Sequence, residues 1–192
     1  MQTFEEGRLQ LQFPADWAVL KYDDGRYYRG TIGRTGAALA AMDFVAVPPA
    51  AVPYLLLLEV KDFRNHEVAN RPRLAKGELA TEVATKAFHT LGALCAGVRA
   101  KQAELRLLAA GVQPLPETVQ VVLLLEQDEP PLAGVAGHLS TRAKLKRDTY
   151  LEYQGKLLTD LRTKLKPFRL QVAVYTCATV PASLGWRAVA RP

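Results

Sequence analysis

The stretch YLLLLEVKD, residues 54–62, decides the fold prediction because four consecutive leucines lead directly into a charged segment. An uninterrupted apolar run of this kind is typical of a strand that is covered on both faces of a sheet. Alternation along such a strand places Glu59 and Lys61 on one face and Val60 on the other. Because burial of an unpaired charge is costly, Glu59 and Lys61 need either an ionic partner or a functional role.

The preceding apolar segment, residues 41–47, predicts a second strand, which Asp43 interrupts with a charge. In an antiparallel hairpin with Asp43 opposite Glu59, Val47 lies opposite Leu55, and residues 49–53 form a connection of acceptable length. Directly opposed side chains have Cβ atoms about 4.5–5.5 Å apart. Two carboxylates at that distance can share one hard cation, so Asp43, Glu59 and the backbone carbonyl of Val60 are predicted ligands of Mg²⁺, with Mn²⁺ as a possible substitute.

Asp43, Glu59 and Lys61 are together the predicted catalytic residues of a phosphodiester hydrolase. A bound Mg²⁺ would polarise a phosphoryl oxygen and lower the pKa of a bound water. Lys61, one pleat along from Glu59, would orient or help to deprotonate that water and would offset charge in the transition state.

The rest of the chain alternates strand and helix patterns. Predicted strands cover residues 7–13, 17–22, 119–126 and 169–177, with a further candidate at 26–29; predicted helices cover about 76–96, 99–111 and 148–166. The basic, polar stretch 64–73 carries no predicted element, and the segment after residue 181 has no clear pattern. This order predicts an α/β fold with a mixed β-sheet flanked by helices, in which right-handed crossovers join the later strands.

Asp43, followed after fifteen residues by Glu59-Val60-Lys61 on a leucine-rich strand and then by a long helix, resembles the PD-(D/E)xK nuclease superfamily. The resemblance covers about residues 41–177 and implies a restriction-endonuclease-like fold. The length of 192 residues predicts a single domain, here nuclease-like over residues 1–192, with N-terminal strands in 1–40 and a tail in 178–192. The resemblance also implies that Asp43 and Glu59 are metal ligands and that Lys61 is the catalytic lysine, although Met42 stands where the motif has proline. Glu5 and Glu6 are the candidates for the early acidic residue that many members carry.

The positive charge is concentrated near the C-terminus, because residues 142–192 carry a balance of +8 in a chain of net charge +6. Such segregation favours a polyanionic partner, most commonly nucleic acid, and the alternative is a solvated helix face. Phosphate-neutralising residues are predicted in a cluster before the last helix and along it: Arg142, Lys144, Lys146, Arg147 and Lys156. DNA is favoured over RNA, and no base-reading motif is present.

Glu82 and Lys86 lie four residues apart on the long central helix, which flanks the active site in the proposed family. Their spacing favours an ion pair on the helix surface, worth a few tenths of a kcal/mol. The alternative is that they support the site from this helix.

Several protein classes are disfavoured by the sequence. The longest apolar runs are far shorter than the roughly 20 residues of a membrane helix, and the N-terminal segment has no apolar signal region. Cys95 and Cys177 provide neither a disulfide framework nor metal-ligand spacing. We therefore expect a soluble, cytoplasmic protein without a membrane partner, acting as a homodimer or with a targeting protein. The alternative function is a non-catalytic nucleic-acid- or protein-binding module on the same fold.

Overall fold

Two β-sheets and four α-helices organise the computed structural model, which describes residues 1–36, 38–49, 54–128 and 140–191. The strands are β1 (Gln2–Glu6), β2 (Leu9–Phe13), β3 (Ala18–Lys21), β4 (Phe44–Val47), β5 (Tyr54–Asp62), β6 (Thr118–Glu126), β7 (Gln171–Tyr175) and β8 (Arg187–Ala190). The helices are α1 (Arg26–Gly30), α2 (Glu67–Ala75), α3 (Glu78–Arg99) and α4 (Thr141–Leu165). Among the described residues, no helix is both long enough and apolar enough to cross a membrane.

The larger sheet has five strands in the order β3-β4-β5-β6-β7. Its first three strands are antiparallel neighbours, whereas β5, β6 and β7 run parallel to one another. The smaller sheet is antiparallel and has the order β1-β2-β8. The prediction of an α/β fold with a mixed sheet and flanking helices is therefore confirmed.

The leucine run is buried because both faces of β5 are covered. Leu55 and Leu57 belong to a core shared with α3 and α4. Leu56 and Leu58 belong to a second core, in which the smaller sheet contributes side chains such as Phe13. All four leucines are completely buried. The central strand thus lies between a helical layer and a second sheet.

The predicted register of the β4–β5 hairpin is confirmed. Phe44 pairs with Leu58 and Ala46 pairs with Leu56. The same register, extended by one residue, places Asp43 opposite Glu59. The strand itself is shorter than predicted, since it begins at Phe44 rather than at residue 41. Residues 50–53 of the predicted connection lie outside the described residues.

Residues 26–29 form the helix α1 rather than the candidate strand, so that prediction is wrong. The backbone N–H groups of Arg26 and Tyr27 donate to the carboxylate of Glu104 at 3.0 and 2.7 Å. A helix start needs partners for its free N–H groups. Here the partner lies far along the chain, where local sequence patterns do not reveal it.

Other parts of the chain also differ from the sequence prediction, in two unpredicted elements and in the start of one helix. The polar stretch after β5 contains α2, and the C-terminal segment forms β8, which pairs with β2. Helix α4 begins at Thr141, earlier than predicted, after an N-cap in which the Ser140 side chain accepts from the Ala143 N–H. Helical spacing groups Leu151 with Leu158, Leu161 and Leu165 on one face, but Leu151 is 54% exposed. The buried face of α4 instead carries Leu157, Leu161 and Leu165.

Candidate active site

Glu59 lies at the centre of a cluster of charged side chains near the carboxyl end of β5. Its side chain is completely buried. One carboxylate oxygen, Oε1, lies 2.6 Å from the Nζ atom of Lys61 and 2.6 Å from that of Lys86. The other oxygen, Oε2, has no hydrogen-bond partner among the described residues. Glu59 is therefore a buried carboxylate with one oxygen shared by two cations and one available for a further ligand.

Asp43 lies immediately before β4 and is 6% exposed. Its Oδ2 atom accepts a hydrogen bond of 2.7 Å from the N–H of Val60. Beyond the first residue of β4, this carboxylate therefore supplies the acceptor for β5. Because the N–H and C=O of one strand residue point to the same side, the Val60 carbonyl also faces Asp43. Two of the three predicted ligand groups are thus oriented by a single interaction.

Lys61 is held between two carboxylates. Its Nζ atom lies 2.6 Å from Glu59 Oε1 and 3.2 Å from Glu82 Oε1. The other oxygen of Glu82 accepts a hydrogen bond from Arg73 on α2. Lys61 is therefore fixed by a chain of ion pairs that runs from β5 to α2.

Glu82 and Lys86 contact the site directly rather than forming the surface pair considered above. Glu82 contacts Lys61 and Arg73, whereas Lys86 contacts Glu59 and lies 3.8 Å from Asp43 Oδ1. The face of α3 that carries both residues is therefore turned toward β5.

Burial and the neighbouring charge of Glu59 raise the pKa of Asp43 to about 7. Burial alone would lower the pKa of Lys61, but the carboxylates of Glu59 and Glu82 raise it above its ordinary value. Burial acts to raise the pKa of Glu82, yet Lys61 and Arg73 lower it overall. Near neutral pH, Asp43 therefore lies close to its titration midpoint, and an added cation would favour its carboxylate form.

Stability should depend on pH through Asp43. Its pKa in the folded protein is about 7, above the ordinary value of 3.8. Between these values the folded chain holds a proton that the unfolded chain has lost, so this contribution to stability falls as pH rises from about 4 to 7. Replacing Asp43 with asparagine should remove that fall. Urea unfolding at pH 4, 5, 6 and 7 checks the prediction, and parallel pH profiles for the two proteins would contradict it.

Asp23 is an acidic residue near the site that the sequence interpretation missed. It follows β3, where the N–H of Tyr22 donates to the carbonyl of Asp43 at 2.8 Å. Burial, and next the charge of Asp43, raise the pKa of Asp23 to about 6. Pairing of the two predicted strands 17–22 and 41–47 would have indicated this position. In the observed β3–β4 pair, the residues after Lys21 lie alongside Asp43.

The early acidic candidates, Glu5 and Glu6, lie in β1 of the smaller sheet. Glu5 pairs with Arg191 at 2.7 Å, and Glu6 pairs with Lys21 at 2.9 Å. These ion pairs give both residues structural partners outside the carboxylate cluster.

Arg73 was also missed, because the polar stretch that forms α2 lacks a clear helical pattern.

The oxygen atoms at the site suit a hard divalent cation. Glu59 Oε2 is buried without a partner, and Asp43 Oδ1 is 3.8 Å from its nearest described cation. Mg²⁺ prefers such oxygen ligands. In the described part of the chain, no group of three or more His, Cys, Asp or Glu side chains is placed to hold a metal. The candidate site therefore depends on two carboxylates and the Val60 carbonyl.

The predicted phosphate-binding residues lie on α4. Arg142, Lys144, Lys146 and Arg147 occupy its first turns, so the expectation that this cluster precedes the helix is wrong. All four are exposed, as is Lys156, which pairs with Asp160 one turn along. These exposed side chains make the first half of α4 basic.

The fold and the site define a mixed α/β protein with two buried carboxylates and two lysines clustered where β4 and β5 meet α3. Comparison of the chain with protein-family models, with curated proteins and with solved structures finds no match in any of the three.

Proposed function

We propose that the protein is a Mg²⁺-dependent nuclease with a restriction-endonuclease-like fold, acting on DNA more readily than on RNA. The observation that carries this proposal is the convergence of Asp43, Glu59 and Lys61. The two carboxylates lie across one strand pair, and Lys61 Nζ is 2.6 Å from Glu59. Paired buried carboxylates repel each other unless a proton or a cation intervenes, which makes this corner suited to binding a metal.

Each residue has a distinct task in this proposal. Asp43, Glu59 and the Val60 carbonyl would hold Mg²⁺, which when bound supplies a polarised phosphoryl oxygen and a more acidic water. Lys61 would orient that water and offset the negative charge that develops on the phosphate. Glu82 and Arg73 are positioning residues, because they fix the Lys61 ammonium through the ion pairs described above.

Cleavage should require Asp43. Replacing Asp43 with asparagine keeps an acceptor for the Val60 N–H but removes the ligand charge, so we expect a loss of activity on the order of 10²–10³-fold or more. The assay uses labelled single- and double-stranded DNA and RNA, with Mg²⁺ or Mn²⁺ and with EDTA. Asp16→Asn is the matched control, because Asp16 is an exposed carboxylate between β2 and β3, outside both α4 and the candidate site.

Two outcomes would overturn the proposal. One is wild-type protein that cleaves none of these substrates with either metal. The other is Asp43→Asn protein that cleaves as fast as the wild type. Nucleic-acid binding without cleavage would instead support the alternative of a non-catalytic binding module.

The basic first half of α4 is the proposed contact for the nucleic-acid backbone. Each phosphate contact to duplex DNA contributes about 0.9 to the slope of log affinity against log salt concentration. Replacing Arg142, Lys144 and Arg147 with glutamine should therefore weaken binding and reduce the slope by about 2–3. Fluorescence anisotropy at several salt concentrations, in the Asp43→Asn background, measures both quantities.

The control removes the same charge elsewhere: Arg99, Lys101 and Arg106, all exposed, are replaced by glutamine. If both triple variants weaken binding equally, net charge determines binding rather than the basic first half of α4.

A further inference from the structure

The ion pairs of the candidate site join equal numbers of acidic and basic side chains. Three carboxylates, from Asp43, Glu59 and Glu82, face three cationic side chains, from Lys61, Lys86 and Arg73. Adding a divalent cation to this set would leave excess positive charge around a completely buried carboxylate. Because uncompensated charge is costly where water is excluded, binding of the cation favours departure of a positive group.

The contacts indicate which group would leave. Lys61 has a second carboxylate partner, Glu82, at 3.2 Å. Arg73 pairs with the same Glu82 and lies over the Phe63 ring, 5.3 Å from its centroid. Both cations therefore keep a partner that is not a predicted metal ligand.

Lys86 differs from both. Its described ionic contacts are to Glu59 Oε1 at 2.6 Å and to Asp43 Oδ1 at 3.8 Å, and both are oxygens of the predicted ligand residues. The ammonium thus bridges the two carboxylates, as a shared cation would. The side chain comes from α3 and is 16% exposed, so part of it already reaches solvent.

We propose that Lys86 is a built-in counter-ion, which holds Asp43 and Glu59 together in the metal-free protein and moves out to solvent when a divalent cation binds. This inference rests on the proposed function, because it concerns the same metal site. Its consequence is that Lys86 limits the affinity of the site for the cation. The same contacts that stabilise the metal-free site therefore weaken metal binding.

The test is titration calorimetry with MnCl₂ in the absence of nucleic acid. Replacing Lys86 with methionine should tighten Mn²⁺ binding about tenfold, because the cation no longer has to displace the ammonium from Glu59 and Asp43. The variant should also melt at a lower temperature without metal and gain more from added Mn²⁺ than the wild type does. Lys86→Gln, whose amide can still donate to Glu59, provides a second variant of closer polarity.

Lys164→Met is the matched control, since Lys164 is exposed on α4 and its loss changes net charge equally. If the wild type binds Mn²⁺ and neither Lys86 variant binds more tightly than the control, the inference fails while the proposed function stands. If wild type and all variants bind no Mn²⁺, and no cleavage is detected, the proposed function fails as well. If the Lys86 variants bind Mn²⁺ and the wild type does not, the result supports the inference.

Discussion

Replacing Lys61 with methionine is expected to slow phosphodiester cleavage by roughly 10²–10⁴-fold, the range in which a positioned proton-transfer or charge-stabilising group contributes. Methionine keeps the length and apolar stem of the side chain but removes the ammonium that contacts Glu59 and Glu82. Mn²⁺ binding should not weaken, because Lys61 is not a ligand. Single-turnover cleavage with saturating enzyme, combined with the Mn²⁺ titration, separates the two effects.

Arginine at position 61 distinguishes the two tasks considered for the lysine. Because the neighbouring carboxylates raise the pKa of Lys61, its charged form is favoured, and we expect it to act through that charge. Lys61→Arg should therefore retain more activity than Lys61→Met. A methionine variant that cleaves at the wild-type rate would contradict any catalytic role for this residue.

The double replacement Lys61→Met, Lys86→Met is expected to destabilise the protein by about 3–5 kcal/mol in the absence of metal. It leaves the completely buried Glu59 carboxylate without either of its cationic partners. For a chain of this size each kcal/mol lowers Tm by about 2–4 °C, so the predicted decrease is roughly 6–20 °C. Thermal and urea unfolding, followed by circular dichroism in EDTA, measure the loss.

A third substitution identifies the cause. Adding Glu59→Leu to the double variant removes the unpaired charge and should restore much of the lost stability, since an apolar side chain can replace a buried ionic one with little cost. If the triple variant is as unstable as the double variant, the loss comes from the packing of the two lysine stems instead.

The central hairpin could be predicted from the sequence because few strand arrangements bury its apolar residues and also pair its charges. Four adjacent leucines require cover on both faces of a strand, and the predicted limits of that strand, residues 54–62, are those of β5. The interruption by Asp43 in the neighbouring segment then fixed a register in which the two carboxylates oppose each other, and the observed pairing of Phe44 with Leu58 has that register.

Elements that depend on distant partners could not be predicted in this way. The start of α1 is capped by Glu104, which is 78 residues from Arg26. Strand β8 pairs with β2 from the other end of the chain, with Leu9 opposite Ala190. Neither partnership leaves a periodic pattern in the segment itself.

The same distinction applies to the site. Asp43, Glu59 and Lys61 were predicted because they lie in or directly beside strands whose pattern is strong. Helical spacing indicates that Glu82 and Lys86 share one side of α3, but it does not say whether that side faces solvent or the sheet. Arg73 was not found because its helix was not predicted.

The pairing of β2 with β8 also determines when the site can be completed during synthesis. The second core, which covers Leu56 and Leu58, includes Trp186 and Ala188 from the last part of the chain. A ribosome-bound chain that lacks these residues has β5 without its full second cover, and non-local strand pairing of this kind forms late. The carboxylate cluster on β5 is therefore expected to reach its final support only after β8 has emerged.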